Sequence, residues 1–156
     1  MTKNGILCEV NEKHVYLDPK KTDSTAINFV SHAHSDHLPS KNGGTILSSI
    51  ETSAISDLRG FTMENHVESL DGFSLIDSGH VLGSKGLLFD DIFYTGDICT
   101  RDRGFLKAAK IPSCKTLITE CTFGLPEFQF PKMNEIQTYV NQLISDLYSK
   151  GVPVIL

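Results

Sequence analysis

Residues 31 to 37 read SHAHSDH, which sets three of the chain's six histidines and an aspartate within seven positions. They sit at the end of AINFVS (26 to 31), a continuous apolar run of strand length that predicts a strand buried on both faces. In extended backbone, residues two apart point to the same side, so His32 and His34 can present imidazoles to one cation. Asp36 and His37 then turn the other way and can serve a second. One metal site needs a third protein ligand and a pair needs a bridging oxygen. The fold must therefore bring later turns to the end of this strand.

Two later stretches meet that demand. DSGHVLGS (77 to 84) places His80 between a strand and a Gly-rich turn, where backbone can approach a ligand closely. YTGDI (94 to 98) places Asp97 after a strand and a glycine, where a carboxylate can reach across to bridge two ions. His14 and His66 lie at the starts of other strands and are expected to face solvent.

Short strands separated by turns fill the first two thirds of the chain. GILCEV (5 to 10) and HVYLD (14 to 18) flank a polar NEK and predict a hairpin. Further strands are expected at 45 to 49, 66 to 70, 73 to 78, 86 to 90, 92 to 96 and 116 to 120, with a short helix over 51 to 58. Ile136, Tyr139, Val140, Leu143, Ile144, Leu147 and Tyr148 recur at spacings of three and four, the stripe of a helix laid against a sheet. Asn134 and Gln137 suggest a capping box at its start, and Gly151 a cap at its end. The following GVPVIL reads as a buried strand just beginning. A strand–helix–strand unit that stops there suggests a fragment, or a protein completed by another chain.

At 156 residues and 40% hydrophobic, the chain can bury the core of one globular domain. It has no apolar run near the roughly 18 residues of a membrane span, and its start lacks the pattern of a signal peptide, so a cytoplasmic protein without membrane association is expected. Cys8, Cys99, Cys114 and Cys121 are widely spaced without a CxxC, which suits reduced thiols better than a cysteine metal site. The net charge of −5 and the absence of a basic patch argue against nonspecific nucleic-acid binding, although two divalent cations would add four positive charges.

HxHxDH after an apolar strand, then a Gly-His turn, then Gly-Asp after another strand, resembles the metallo-β-lactamase superfamily. GHVLGS (79 to 84) and TECTFG (119 to 124) are similar to segments of its β-CASP nuclease branch, the latter to Glu-Ser-Thr-Tyr-Gly or Glu-Ser-Thr-Phe-Gly with Cys121 in place of the serine. FGLPEFQFP (123 to 131) and the opening GILCEV…VYLDP look most like archaeal mRNA 3′-end-processing factors and bacterial DNA-ligase-associated exonucleases. The resemblance implies an α+β fold, the first half of an αββα sandwich with a mixed, mostly antiparallel sheet, residues 1 to 156 being the N-terminal part of that domain and the β-CASP cap absent. It implies two zinc ions: one on His32, His34 and His80, one on Asp36 and His37, with Asp97 between them, and Asp18 supporting the ligands from behind. Asp36, Asp97 and Glu120 take catalytic roles, Glu120 by orienting a protonating histidine. The implied activity is hydrolysis of RNA or DNA phosphodiesters by a nuclease, in RNA 3′-end processing or as an exonuclease. The family's last histidine ligand and its protonating histidine have no counterpart after His80, so the second zinc site is expected to be incomplete and the chain alone weakly active or inactive. Nucleic acid would bind mainly through the missing cap, and a C-terminal half or a homologous subunit is an expected partner. Two alternatives remain: a thioesterase- or lactonase-type hydrolase, and a non-catalytic truncated homologue or subunit.

Overall fold

The structure is a computed structural model, and it describes residues 4–10 and 12–155. The chain is a mixed α+β protein with two sheets and two helices among the described residues. It divides into two compact units, Met1–Glu120 and Cys121–Leu156.

In the first unit, β1 (Ile6–Val10) and β2 (Lys13–Leu17) form the expected antiparallel hairpin. Parallel to β2 run β3 (Ile27–Phe29), β4 (Thr45–Leu47) and β5 (His66–Val67), giving the order β1-β2-β3-β4-β5. A second sheet has the order β6 (Phe73–Asp77), β7 (Lys85–Phe89), β8 (Ile92–Tyr94), β9 (Thr116–Ile118), antiparallel except for the parallel pair β8 and β9. Side chains alternate along a strand, so Val15 and Leu17 of β2 point one way together, as do Leu87 and Phe89 of β7. With Phe29, Leu47 and Tyr94 they make one apolar core fed by both sheets. Phe29 and Tyr94 meet edge to face across it, ring centroids 6.1 Å apart. Val30 and Ile46, one residue out of phase with Phe29 and Leu47, pack with Met63 in a second cluster. The β3 segment is thus covered on both sides, as its apolar run predicts.

Helix α1 (Ile50–Leu58) starts at Ser49, whose hydroxyl accepts from the Thr52 amide at 3.1 Å, an N-terminal cap. Unusually, its buried residues are polar, Thr52 and Ser56. Both Ser49 Oγ and Thr52 Oγ1 donate to the Gly83 carbonyl, at 2.6 and 3.0 Å, which ties the 77–84 turn to the helix start.

Several strands are shorter than the sequence pattern implies, among them β3, β4, β8 and β9 with three residues each. The expected strand over 66 to 70 joins the ladder only at His66 and Val67, with Leu70 in an isolated bridge to Phe73. His66 is not solvent-facing: it is half-buried, and its Nε2 donates to the Ser48 carbonyl at 3.1 Å. His14 is exposed, 3.6 Å from Glu9.

The second unit holds α2 (Met133–Ser149). Ile136, Val140, Ile144 and Leu147 of its apolar stripe are half-buried, while Tyr139, Leu143 and Tyr148 are exposed. The capping box does not form. The N-cap is Lys132, two residues before Asn134, and no side chain caps the helix. Gly151 does end it: with φ of +69°, it lets Val152 N donate to Leu147 O and its own N–H to Tyr148 O, the paired bonds of a Schellman turn. The strand expected after it is absent. Residues 152 to 155 are exposed and in no ladder, and a strand exists only through pairing; Leu156 lies outside the described residues.

Candidate metal centre

A parallel pair sets the carboxyl ends of its strands on the same rim, the usual place for a ligand in such sheets. Asp18 follows β2 and His32 lies just past β3 in one sheet; Asp97 lies just past β8 and Glu120 past β9 in the other. The chain leaves β3 extended, with Val30 N on Leu47 O and Lys85 N on Ser31 O, so both sheets hold the entry to the histidine loop. The loop then closes through His37 N and Leu38 N, both donating to His34 O.

These turns bring four ligand atoms together. His32, His34, His80 and Asp97 each offer one within 4.8 Å of all the others. His32 Nε2 lies 2.9 Å from His34 Nδ1, and His34 Nδ1 lies 3.3 Å from His80 Nε2. Asp97 Oδ2 closes the set, 3.4 Å from His80 Nε2 and 3.8 Å from His32 Nε2. Ligand atoms about 2.0–2.2 Å from a tetrahedral ion lie about 3.3–3.6 Å apart, so three imidazoles and a carboxylate at these separations fit a metal ion.

The other oxygen of Asp97 faces different donors. Its Oδ1 lies 3.5 Å from His37 Nε2, which is 3.7 Å from Asp36 Oδ2. Asp36 is largely exposed, whereas His37 and Asp97 are partly sheltered. Asp97 therefore stands between two groups of donors, four ligand atoms on one side and three on the other when its two oxygens are counted separately.

Asp18 holds this arrangement from behind. Its Oδ2 lies 2.8 Å from His37 Nδ1 and accepts from Ser31 Oγ at 2.6 Å and Tyr94 OH at 2.8 Å, while its Oδ1 takes the Ser31 amide at 2.7 Å. Holding Nδ1 leaves Nε2 of His37 to face Asp97, the usual way a carboxylate fixes a ligating imidazole. Ser78 and Ser84, both buried, hold the backbone on either side of the site instead. Ser84 Oγ accepts from the His80 and Val81 amides at 3.2 and 3.1 Å, and Ser78 Oγ donates to the Asp97 carbonyl at 2.8 Å. Glu120 Oε1 accepts from the Ile98 amide at 2.9 Å and so steadies the residue after Asp97.

Gly96 is needed for close approach as well as conformation. Its φ is +55°, and a Cβ there would stand 2.6 Å from the Cβ of Ser31, the residue that bonds Asp18.

Burial, followed by the neighbouring His37, holds the His32 imidazole down to about pKa 3, so it is neutral at neutral pH. His80 is also lowered, by burial above all. His37 is raised: burial works against its charge, but the hydrogen bond to Asp18 and the charges of Asp18, Asp97 and Asp36 outweigh it. Tyr94 is pushed up by burial and by Asp18, and remains a neutral donor.

Of the residues singled out in the sequence, the structure brings His32, His34, His80 and Asp97 into one ligand group, and places His37 beside the other oxygen of Asp97 and Asp36 beside His37. Sequence reasoning missed Ser31, Tyr94, Ser78 and Ser84. Ser31 and Tyr94 stand inside the motif-bearing segments, but nothing in a linear pattern shows that they meet Asp18.

No family model matches the chain. A protein of Opitutus terrae named a probable DNA ligase is 32% identical to it over 146 residues, a match that covers 81% of this chain and 14% of that protein. The chain accordingly spans about a seventh of the length of this relative.

Proposed function

We propose that this chain carries the metal centre of a zinc-dependent phosphodiester hydrolase of the metallo-β-lactamase type, in its β-CASP branch, acting on nucleic acid. The observation that supports it most is the placement of Asp97, with Oδ2 toward His32 and His80 and Oδ1 toward His37. A carboxylate shared in this way suits two cations that act together on one phosphate. Imidazole and carboxylate donors without thiolate suit zinc, and His32 is already neutral, as a ligand must be. Zinc ions bound here would polarise the phosphoryl oxygens and lower the pKa of an attacking water.

The chain's own residues have separate tasks in this reading. His32, His34, His80 and Asp97 hold the first ion; Asp36, His37 and Asp97 hold the second, with one donor fewer. Asp18 keeps Nε2 of His37 turned toward the site. Glu120 positions the strand end that carries Asp97, through the Ile98 amide. The relative's name, a probable DNA ligase, favours DNA as the nucleic acid. This also fits the resemblance to DNA-ligase-associated exonucleases.

The test is hydrolysis of bis(p-nitrophenyl) phosphate and of end-labelled DNA and RNA oligonucleotides by the zinc-loaded chain. Slow turnover that is lost on chelation and in Asp97→Asn is the expected result. Turnover confined to thioester or lactone substrates would instead favour the small-molecule hydrolase.

A further inference from the structure

We propose that the turn of residues 99–110 is a docking site for single-stranded nucleic acid beside the metal centre, with Phe105 as the surface on which a base stacks. The proposal rests on the phosphodiester-hydrolase reading and specifies where its substrate lies. In a chain of net charge −5, this short segment carries Arg101, Arg103, Lys107 and Lys110 against Asp102 alone, a local excess of three positive charges. All four cations are exposed. Arg101 and Lys110 have no carboxylate partner among the described residues, and a surface that keeps unpaired cations together suits phosphates.

The turn is built rather than loose. Arg103 and Leu106 exchange both backbone hydrogen bonds at 2.9 Å, so that Gly104, at φ of +55°, and Phe105 form the tip. Phe105 is 80% exposed there. A phenyl ring held out between an arginine and a lysine is a poor core residue and a good stacking platform, since every base has a π-face. Asp102 fixes the base of the turn by accepting from the Ala108 amide at 2.8 Å and pairing with Lys107 at 3.2 Å.

Its position relative to the metal centre is also fixed. Cys99 N donates to Ser78 O at 2.8 Å, and the Arg103 guanidinium donates to the carbonyls of Gly79 and His80. The backbones pack so closely that a Cβ on Gly79 would stand 2.6 Å from Lys107 O and 2.7 Å from Cys99 O. Between the two turns lies a cleft of about 250 Å³, walled by Phe105, Leu106 and Lys107 on one side and by Val81 and Leu82 on the other. Glu51 and Asp77 also line it, Asp77 being paired with Lys85. A strand whose phosphates follow Arg101, Lys107 and Lys110 would lead past Phe105 toward His80.

Anisotropy of a fluorescein-labelled, phosphorothioate-linked oligothymidylate with the zinc-loaded chain, titrated across KCl concentrations, tests this. Phe105→Ala should weaken binding about five- to a hundredfold. Arg101→Gln with Lys110→Gln should flatten the slope of log affinity against log salt by about 1.4, since each phosphate no longer neutralised removes about 0.7 for a single strand. Unchanged affinity and slope in these variants would overturn the proposal, as would equal affinity for the corresponding duplex. A chain that binds through the turn yet cleaves no phosphodiester sinks the hydrolase reading and upholds the docking site; cleavage with turn-independent binding does the reverse.

Discussion

Asp97 and Asp18 show how much of this centre depends on single carboxylates. Asp18→Asn keeps the shape but replaces the charged acceptor shared by His37, Ser31 and Tyr94. It should weaken zinc affinity about 10- to 100-fold, chiefly at the His37 side, as measured by competition with a chromophoric chelator. The shifted histidines give a pH order for metal loading. His32 and His80 hold protons less readily than free histidine, so protons compete poorly for these two donors. His37 holds its proton more readily, and that proton must leave before Nε2 can bind. On raising pH from about 5 to 8, zinc should fill the His32, His34, His80 set first and the His37 side only at higher pH. Isothermal titration at several pH values checks this; simultaneous filling would contradict it. The residues that gather at the rim were legible in the sequence because HxHxDH, Gly-His and Gly-Asp follow strands at recognisable spacing. Ser31 and Tyr94 were not, because a second layer of support is defined by packing between two sheets and leaves no period in the chain.

Among the elements, β3 shows where pattern and structure part. Its apolar run correctly implied a strand covered on both faces, but Asn28 within it is fully buried and polar. Its Oδ1 accepts from the Asp23 amide at 2.8 Å, and its Nδ2 donates to the carbonyls of Asp23 at 2.9 Å and Thr45 at 3.1 Å, so it ties the approach to β3 to the start of β4. Asn28→Ala would strand these backbone groups and should cost about 1–3 kcal/mol of unfolding free energy, measured by urea titration. Gly96→Ala tests the turn after β8. The added methyl would press on Ser31, so the variant should lose zinc affinity as well as stability, and a crystal structure of it should show Asp97 rotated away from His80. Helix α2 was legible from its stripe and from Gly151, whereas its start was not: a capping box is only a permitted arrangement, and here the helix starts before it, capped at Lys132.

For the whole molecule, the two-sheet core of the first unit and the rim it creates follow from many short strands, but the order of the sheets could not be read from the sequence. Parallel pairing of β2, β3, β4 and β5 is set by packing across the core, not by any local signal. The same is true of the basic turn at 99–110, which the overall charge of −5 conceals. The central claim is that the rim binds metal through His32, His34, His80 and Asp97. Its most direct test is the zinc content of the purified chain after exhaustive dialysis against buffered zinc, by inductively coupled plasma mass spectrometry, beside a His32→Ala, His80→Ala double variant. One tightly held zinc per chain, a second taken up only at higher free zinc, and loss of the tight ion in the variant are predicted. No retained zinc in the parent chain, or an equal content in the variant, would contradict the account.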